Sequence, residues 1–266
     1  MYKILNSLVP RSIKRTLRGW EKNLRFAREF KLAECEAQPP VFIFQPGKVG
    51  SMSIYRSLKS LYRGPVIHSH SFSPQDKDYA VRRLYAWHQA GKPVRVISLV
   101  REPISRNVSS FFENFERYTG VAPKQSAFSV EELKELFLEK FDANGAAKWY
   151  EEFLVKGLGV EPLGAPVQAP GVQQITHQNV RLLFCKTELT DSEKELAVKD
   201  FLGLQKFLLA KENVGAKKDY AFIYQEFKQH VRFSPEYVEP LLNDAYCQHF
   251  YSNEERDEMR AKWMEH

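Results

Sequence analysis

The chain has 266 residues, of which 43% are hydrophobic and 13% aromatic, so it has enough apolar surface for a full core and is not intrinsically disordered. Its net charge of +6 is unevenly spread. Residues 1–33 carry nine Lys or Arg against two Glu, a net charge of +7, whereas the remainder carries 30 basic and 31 acidic residues, a net charge of −1. The nearly neutral body disfavours a nucleic-acid-binding surface, and any affinity for anions must be local to a pocket.

Cysteine usage and hydropathy indicate a cytoplasmic protein. The three cysteines, at positions 35, 185 and 247, are odd in number and lack metal-type spacing, which indicates a reducing compartment. Cys185 lies in an apolar strand pattern and is expected to be a small core residue. No apolar run approaches the roughly 18 residues of a membrane-spanning helix. The N-terminus has no sustained apolar stretch, so we do not expect a signal peptide.

The basic N-terminus has a helical pattern over residues 11–34. Its apolar residues recur at steps of three and four, namely Ile13, Leu17, Trp20, Leu24 and Ala27. Phe26 and Phe30 widen this stripe on one flank. Two interpretations are open: the stripe packs on the domain, or residues 1–33 make a peripheral contact with an anionic inner membrane or with a partner. The sequence does not predict an oligomeric state.

Residues 1–38 are therefore predicted to be a basic helical extension, and residues 39–266 an α/β domain. Strand and helix patterns alternate along the first part of the domain: strands at 41–45, 65–71 and 94–100, and helices at 51–62, 74–90 and 103–119. This alternation predicts a mostly parallel sheet with ligands at the carboxyl ends of the strands. Later helices begin at the capping boxes Ser129/Glu132, Thr190/Glu193 and Ser252/Glu255, and at Ser234-Pro235. Residues 157–172 form an irregular loop of the kind that often serves as a binding element or lid.

The most informative segment is residues 41–53, an apolar strand followed by a turn containing glycine, lysine and serine and then by a helix. This layout builds an anion site from backbone N–H groups, a helix N-terminus and the charge of Lys48. A Walker A loop ends in Gly-Lys-Ser/Thr, whereas Lys48 precedes the second glycine, Gly50. The segment is therefore predicted to bind phosphate, but not in the manner of an ordinary ATPase.

A second anion pocket is predicted after the strand at residues 94–100. In a magnesium-dependent P-loop enzyme such a strand typically ends in an aspartate that holds the metal, whereas this one ends in Arg101. Ser105 and Ser109 follow on one face of the next helix. Two anion pockets on neighbouring strands indicate a ligand with two separated anionic groups.

These segments resemble sulfotransferases that use 3′-phosphoadenosine 5′-phosphosulfate (PAPS). Residues 48–53 resemble the family's 5′-phosphosulfate loop, and Arg101-Glu102-Pro103 with Ser109 resembles its 3′-phosphate motif. Residues 183–189 and 201–204 are similar to later landmarks of the fold, so the resemblance covers roughly residues 41–264. Residues 147–150 (Ala-Lys-Trp-Tyr) resemble the motif of a bacterial subgroup named for Asn-Lys-Trp-Tyr-Ser and associated with capsular polysaccharide synthesis.

The resemblance implies a P-loop-like three-layer sandwich with a mostly parallel central sheet, PAPS as sulfuryl donor and no metal. It implies donor contacts from a loop and from three further segments: Pro46, Gly47, Lys48, Val49, Gly50, Ser51, Met52, Ser53, Arg101, Ser109, Asn213, Lys217 and Lys218. For the last three, the alternative is a charged helix start. Met52 stands where many members carry a threonine, so Ser51 and Ser53 would supply the hydroxyls.

His68 and His70 end the second strand, and strand alternation puts both imidazoles on one face near the expected site. In this family a histidine at that strand end commonly acts as the base, and His70 matches the position better than His68. A structural histidine or a metal pair are the alternatives, although no third ligand has a telling spacing. Trp149 and Tyr150 are expected in the core rather than in a sugar-binding platform.

The resemblance therefore implies transfer of a sulfuryl group from PAPS to a hydroxyl of a carbohydrate, such as a capsular polysaccharide or exopolysaccharide, with Lys48 and His70 in catalysis. Two alternatives remain. A P-loop small-molecule kinase is disfavoured by the position of Lys48 and by Arg101 at the strand end. A non-catalytic nucleotide-binding protein of polysaccharide assembly is the other. The sequence does not identify the acceptor.

Overall fold

The computed structural model describes residues 11–163, 170–210 and 218–265. Its centre is a five-stranded sheet, whose strands are β1 (Val41–Phe44), β2 (Val66–Ser69), β3 (Val94–Val100), β4 (Val172–His177) and β5 (Val180–Lys186). The strand order is β2-β1-β3-β5-β4, and only the pairing of β4 with β5 is antiparallel. The predicted α/β class with a mostly parallel sheet is confirmed.

Helices cover both faces of this sheet. In chain order they are α1 (Arg11–Cys35), α2 (Met52–Leu61), α3 (Tyr79–Gln89), α4 (Pro103–Glu113), α5 (Phe115–Thr119), α6 (Val130–Lys140), α7 (Gly145–Trp149), α8 (Asp191–Leu202), α9 (Ala221–His230), α10 (Pro235–Leu242), α11 (Ala245–Phe250) and α12 (Asn253–Trp263), with a 3-10 turn at Pro123–Gln125 and a π-helix at Tyr150–Gly157. The three predicted capping boxes are all present.

Two predicted helix boundaries need correction. The helix expected at 74–90 begins only at Tyr79, because the Asp78 side chain accepts a hydrogen bond from the Ala80 N–H and caps it there. The helix expected at 103–119 is two helices. Asn114 leaves helical geometry, with ψ at 27°, and its side chain donates to the Ser110 carbonyl, so α4 ends before Asn114 and α5 begins after it.

The core has one apolar cluster on each face of the sheet, because side chains alternate along each strand. On β1, Phe42 and Phe44 face a large aromatic cluster, whereas Val41 and Ile43 face a smaller one shared with α2 and α8. Cys185 lies in the smaller cluster, as predicted.

The described residues also bear on two predictions outside the sheet. Trp149 and Tyr150 are buried, which confirms that they belong to the core. Residues 164–169, the centre of the predicted lid loop at 157–172, lie outside the described residues.

Helix α1 packs on the domain with a different face from the one expected. Phe26, Phe30 and Ala33 are buried in the aromatic cluster, and the Phe30 and Trp87 rings are 5.5 Å apart. The predicted stripe is instead exposed, with relative exposures of 49% at Ile13, 54% at Leu17, 68% at Trp20 and 59% at Leu24. Of the two interpretations, packing on the domain holds for the flank formed by Phe26 and Phe30, which Ala33 extends, and not for the stripe of Ile13, Leu17, Trp20 and Leu24.

Candidate anion-binding and catalytic site

The loop between β1 and α2 has the backbone of an anion-binding turn. Lys48 and Gly50 have φ angles of 73° and 76°, in the left-handed region that an L-residue such as Lys48 adopts at a cost. Among the described residues, and apart from the chain neighbours of each glycine, no heavy atom lies within 4 Å of where a Cβ would stand at Gly47 or Gly50. The two glycines therefore border open space, and a ligand can approach the backbone closely.

The N-terminus of α2 is not capped by its own N-cap residue. The Ser51 side chain makes no capping bond. Its hydroxyl instead lies 2.9 Å from His68 Nε2, and it accepts a hydrogen bond of 2.8 Å from Gln45 Nε2. The first N–H groups of an α-helix have no partner within the helix. Because Ser51 does not cap them, they remain available to an anion in the cleft.

Lys48 is held by a carboxylate that the sequence patterns did not identify. Its Nζ lies 2.9 Å from Glu113 Oε2 at the end of α4, and the same carboxylate accepts hydrogen bonds from Lys218 and Tyr220. Partial burial alone would raise the pKa of Glu113, but the hydrogen bonds from Lys218, Tyr220 and Lys48 lower it to about 2. Burial lowers the pKa of Lys48, and Glu113 opposes this shift. Glu113 thus pairs with two lysines beside the loop, and the three side chains together keep one net positive charge.

Two arginines donate hydrogen bonds to backbone carbonyl groups of the loop. Arg101, directly after β3, donates to the Lys48 carbonyl over 2.8 Å, and Arg106 on α4 donates to the Gly47 carbonyl over 3.3 Å. These bonds tie the loop to the end of the neighbouring strand and to the helix that follows it. Arg106 had no sequence signal of its own, because it lies outside the Arg-x-Pro motif.

The two histidines have different hydrogen-bonding roles. Burial, together with the nearby His70, lowers the pKa of His68 to about 4, so His68 is neutral near pH 7 and its Nε2 is occupied by Ser51. His70 is exposed, and its Nδ1 lies 2.7 Å from the Gln45 carbonyl oxygen. Because that oxygen can only accept, Nδ1 carries the hydrogen, and in the neutral imidazole Nε2 is then the nitrogen with the lone pair. Trp149 Nε1 donates to the His70 carbonyl over 2.6 Å and fixes the backbone there.

The loop, the two histidines and the paired lysines share one cleft of about 730 Å³. Its lining includes most of the predicted loop residues, together with Arg56 from α2 and residues from the region after β5: Gly47, Lys48, Gly50, Ser51, Met52, Ser53, Arg56, His68, His70, Glu113, Asp191, Lys194, Leu209, Ala210 and Lys218. Two further residues of the loop, Pro46 and Val49, are buried. Asn213 and Lys217 lie outside the described residues.

Arg101 lines a second cleft of about 560 Å³, which shares Gly50 with the first. Ser105 lies in this second cleft, and its hydroxyl accepts a hydrogen bond of 3.2 Å from Lys262 Nζ on α12. Ser109 lies one turn further along α4, is half-buried and is not part of the lining of either cleft. The structure therefore brings Arg101 together with Ser105 rather than with Ser109.

Three of the carboxylates that line the second cleft have structural partners. Glu102 caps α4 and accepts a hydrogen bond from the Trp263 indole over 3.2 Å. Glu188 accepts hydrogen bonds from the Glu102 N–H and the Tyr251 hydroxyl. Glu255 is bound at 2.7 Å by Lys186. These contacts join α12 to the ends of β3 and β5.

Residues 11–163, 170–210 and 218–265 contain neither a candidate metal site nor a candidate membrane-spanning helix. No group of three or more His, Cys, Asp or Glu side chains in these ranges could hold a metal ion. No helix in them combines the length and the apolar character needed to cross a membrane.

Comparison with known proteins gives one match. A family model described as "Putative capsular polysaccharide synthesis protein", and named NKWYS, matches residues 125–252. The matched segment contains the buried Trp149 and Tyr150, β4, β5 and the helices up to α11. No curated protein and no solved structure matches the chain significantly. The matched segment begins after the loop between β1 and α2 and after Arg101.

Proposed function

We propose that this protein is a cytoplasmic sulfotransferase with a P-loop-like three-layer fold, which transfers a sulfuryl group from PAPS to a hydroxyl of a carbohydrate acceptor. The observation that carries the proposal is the position of His70. His70, whose Nδ1 is bonded to the Gln45 carbonyl, lines the same cleft as Lys48, the uncapped N-terminus of α2 and the open backbone at Gly47 and Gly50. A proton acceptor and an anion site that share one cleft suit transfer of an anionic group to a hydroxyl.

The two clefts suit a donor with two anionic groups. The phosphosulfate would lie against the loop, where Lys48, Ser51, Ser53 and the N–H groups at the start of α2 can compensate its charge. The 3′-phosphate would lie beside Arg101, with a hydroxyl from α4 and Lys262 from α12. Ser109 is the family's match for that hydroxyl, and the geometry favours Ser105.

The chemistry is an in-line displacement. His70 Nε2 takes the proton of the acceptor hydroxyl while its oxygen forms a bond to sulfur. The bond between sulfur and the bridging oxygen of the 5′-phosphate breaks, and 3′,5′-adenosine bisphosphate leaves. Lys48 and the loop N–H groups stabilise the negative charge that develops on the leaving phosphate. His68 keeps Ser51 in place through the contact of 2.9 Å between its Nε2 and the Ser51 hydroxyl.

A carbohydrate acceptor is supported by the family description of residues 125–252, which names capsular polysaccharide synthesis. The end of that segment contributes Tyr251 to the second cleft, so the matched region and the anion-binding loop meet at the site.

Ligand-induced stabilisation tests the donor. We expect 3′,5′-adenosine bisphosphate to raise the thermal unfolding temperature and 5′-AMP to raise it much less, because a charge-assisted contact to the 3′-phosphate contributes about 1.5–3 kcal/mol. Arg101→Ala should remove the difference, whereas Arg63→Ala, which removes an exposed arginine outside both clefts, should preserve it.

Three outcomes would replace the proposal. Equal stabilisation by both nucleotides would remove the 3′-phosphate pocket. Preference for ATP with magnesium would favour a small-molecule kinase. Binding of PAPS without release of 3′,5′-adenosine bisphosphate in the presence of sugar acceptors would favour a nucleotide-binding assembly protein.

A further inference from the structure

The apolar stripe on the N-terminal half of α1 is left exposed by the described part of the domain. Ile13, Leu17, Trp20 and Leu24 are each between 49% and 68% exposed. They lie about 140° around the helix from the buried face formed by Phe26, Phe30 and Ala33. Helix α1 therefore has two apolar faces, and the core covers one of them.

The C-terminal half of α1 is anchored, so the stripe is held in a defined orientation. Lys22 Nζ lies 2.7 Å from Asp78, in the loop that follows the carboxyl end of β2. Glu34 pairs with Lys92, in the loop before β3 at the opposite edge of the sheet. The N-terminus of α1 therefore points toward the edge that carries both clefts, and residues 11–22 extend about 16 Å along the helix from the Lys22–Asp78 ion pair.

The positive charge of α1 favours an anionic surface as the partner of the stripe. Residues 11–33 contain eight Lys or Arg and two Glu, a net charge of +6. Arg28 and Lys31 are exposed, and neither makes an ion pair within the described residues. Tryptophan and leucine on one face of a strongly basic helix are typical of helices that lie in the interface of an anionic bilayer. Two copies of so basic a surface would repel each other.

We infer that residues 11–31 form a docking surface for a membrane containing anionic phospholipids. Leu17, Trp20 and Leu24 enter the interface between headgroups and acyl chains, and the basic side chains contact the headgroups. The carboxyl edge of the sheet, with both clefts, then faces the bilayer. This inference is independent of the proposed reaction, because it rests on the exposure and charge of α1 alone.

Vesicle binding of the full chain tests the inference, with tryptophan fluorescence as a direct readout. Trp20 is 68% exposed, whereas Trp87, Trp149 and Trp263, the other tryptophans of the chain, are at most 8% exposed. We expect co-sedimentation with vesicles of phosphatidylcholine plus phosphatidylglycerol and none with phosphatidylcholine alone. Binding should be reversed by high salt and accompanied by a blue shift of emission and reduced quenching by aqueous acrylamide, both lost in Trp20→Phe.

Matched variants separate the stripe from general hydrophobicity. Leu17→Gln/Trp20→Gln/Leu24→Gln should lower the partition coefficient by roughly tenfold or more, because three apolar side chains lose their burial. Leu196→Gln/Leu208→Gln/Phe222→Gln removes three side chains of similar exposure elsewhere and should leave binding unchanged. All six side chains are exposed, so both variants should keep the wild-type unfolding temperature.

The basic side chains have a test of their own. Arg28→Gln/Lys31→Gln should weaken binding roughly tenfold, whereas Arg63→Gln/Lys206→Gln, with the same loss of charge, should not. The inference fails if the protein ignores anionic vesicles or if the stripe variant binds as tightly as the wild type. Concentration-dependent dimerisation that the stripe variant abolishes, without vesicle binding, would assign the stripe to a second copy of the chain.

Discussion

At the scale of single residues, the hydrogen bond from His70 Nδ1 to the Gln45 carbonyl decides which imidazole can act as a base. His68 ends the same strand, but its Nε2 is occupied by Ser51 and its pKa is lowered to about 4. Strand alternation placed the two side chains on the same face and could not separate them. The separation depends on Gln45 and Ser51, which approach the histidines only in the folded chain.

His70→Ala is expected to lower turnover by roughly 10²–10⁴-fold, the usual contribution of a general base, while keeping the affinity for 3′,5′-adenosine bisphosphate. Single-turnover transfer from PAPS and calorimetric binding measure the two effects separately. His177→Ala, at the exposed end of β4, is the control for loss of an imidazole. Unchanged turnover in His70→Ala would exclude His70 as the base.

Glu113→Gln is expected to strengthen binding of 3′,5′-adenosine bisphosphate roughly fivefold. The carboxylate competes with the ligand for Lys48 and Lys218, and a half-exposed ion pair contributes up to about 1 kcal/mol. Isothermal calorimetry would measure the affinity, with Glu116→Gln, on the neighbouring helix α5, as the control. Weaker binding would show instead that Glu113 positions the two lysines for the ligand.

At the scale of elements, the candidate site is built mainly by one connection, which runs from β1 through residues 45–51 into α2. Its glycines and lysine were recognisable because a strand pattern runs directly into a helical one. Its bracing by Arg106 and Glu113 was not recognisable, because both lie more than 50 positions further along the chain on α4. The break of α4 at Asn114 was missed as well, since the apolar pattern continues through it.

Gly50→Ala and Gly203→Ala form a matched pair that tests the role of the connection. Both glycines have positive φ angles, of 76° and 67°, and neither would place a Cβ within 4 Å of another atom. Each substitution should therefore destabilise the protein by about 1 kcal/mol, measured by urea unfolding. Only Gly50→Ala should also lose affinity for 3′,5′-adenosine bisphosphate, because Gly203 caps α8 away from the clefts. Equal affinities would contradict ligand approach at Gly50.

At the scale of the whole molecule, α1 joins the basic N-terminus to the core. The sequence predicted a separate extension over residues 1–38, and that boundary remains a prediction. Phe26, Phe30 and Ala33 nevertheless belong to the same aromatic cluster as Phe42 and Phe44 of β1. Helix α1 is therefore held against the domain by apolar packing of its C-terminal half.

Phe30→Ala is expected to lower the free energy of unfolding by about 3 kcal/mol or more, because it leaves a cavity against Trp87 in the core. Leu24→Ala, on the exposed stripe, should change it by less than about 0.5 kcal/mol. Chemical denaturation of the full chain measures both. A small effect of Phe30→Ala would mean that α1 contributes little to the stability of the domain.

The sequence by itself determined the features that depend on neighbours along the chain. These are the alternation of strands and helices, the three capping boxes, the anion-binding loop after β1 and Arg101 at the end of β3. Each follows from local backbone chemistry or from the period of the apolar pattern, so no knowledge of the fold was needed.

Only the tertiary structure decided which groups meet across the chain. It put Glu113 on Lys48, left His70 rather than His68 with a free Nε2, and brought Ser105 rather than Ser109 beside Arg101. It also buried Phe26 and Phe30 of α1 and left Leu17, Trp20 and Leu24 exposed. For the histidines, the serines and α1, the local pattern allowed two arrangements of similar residues, and contacts with distant elements selected one of them.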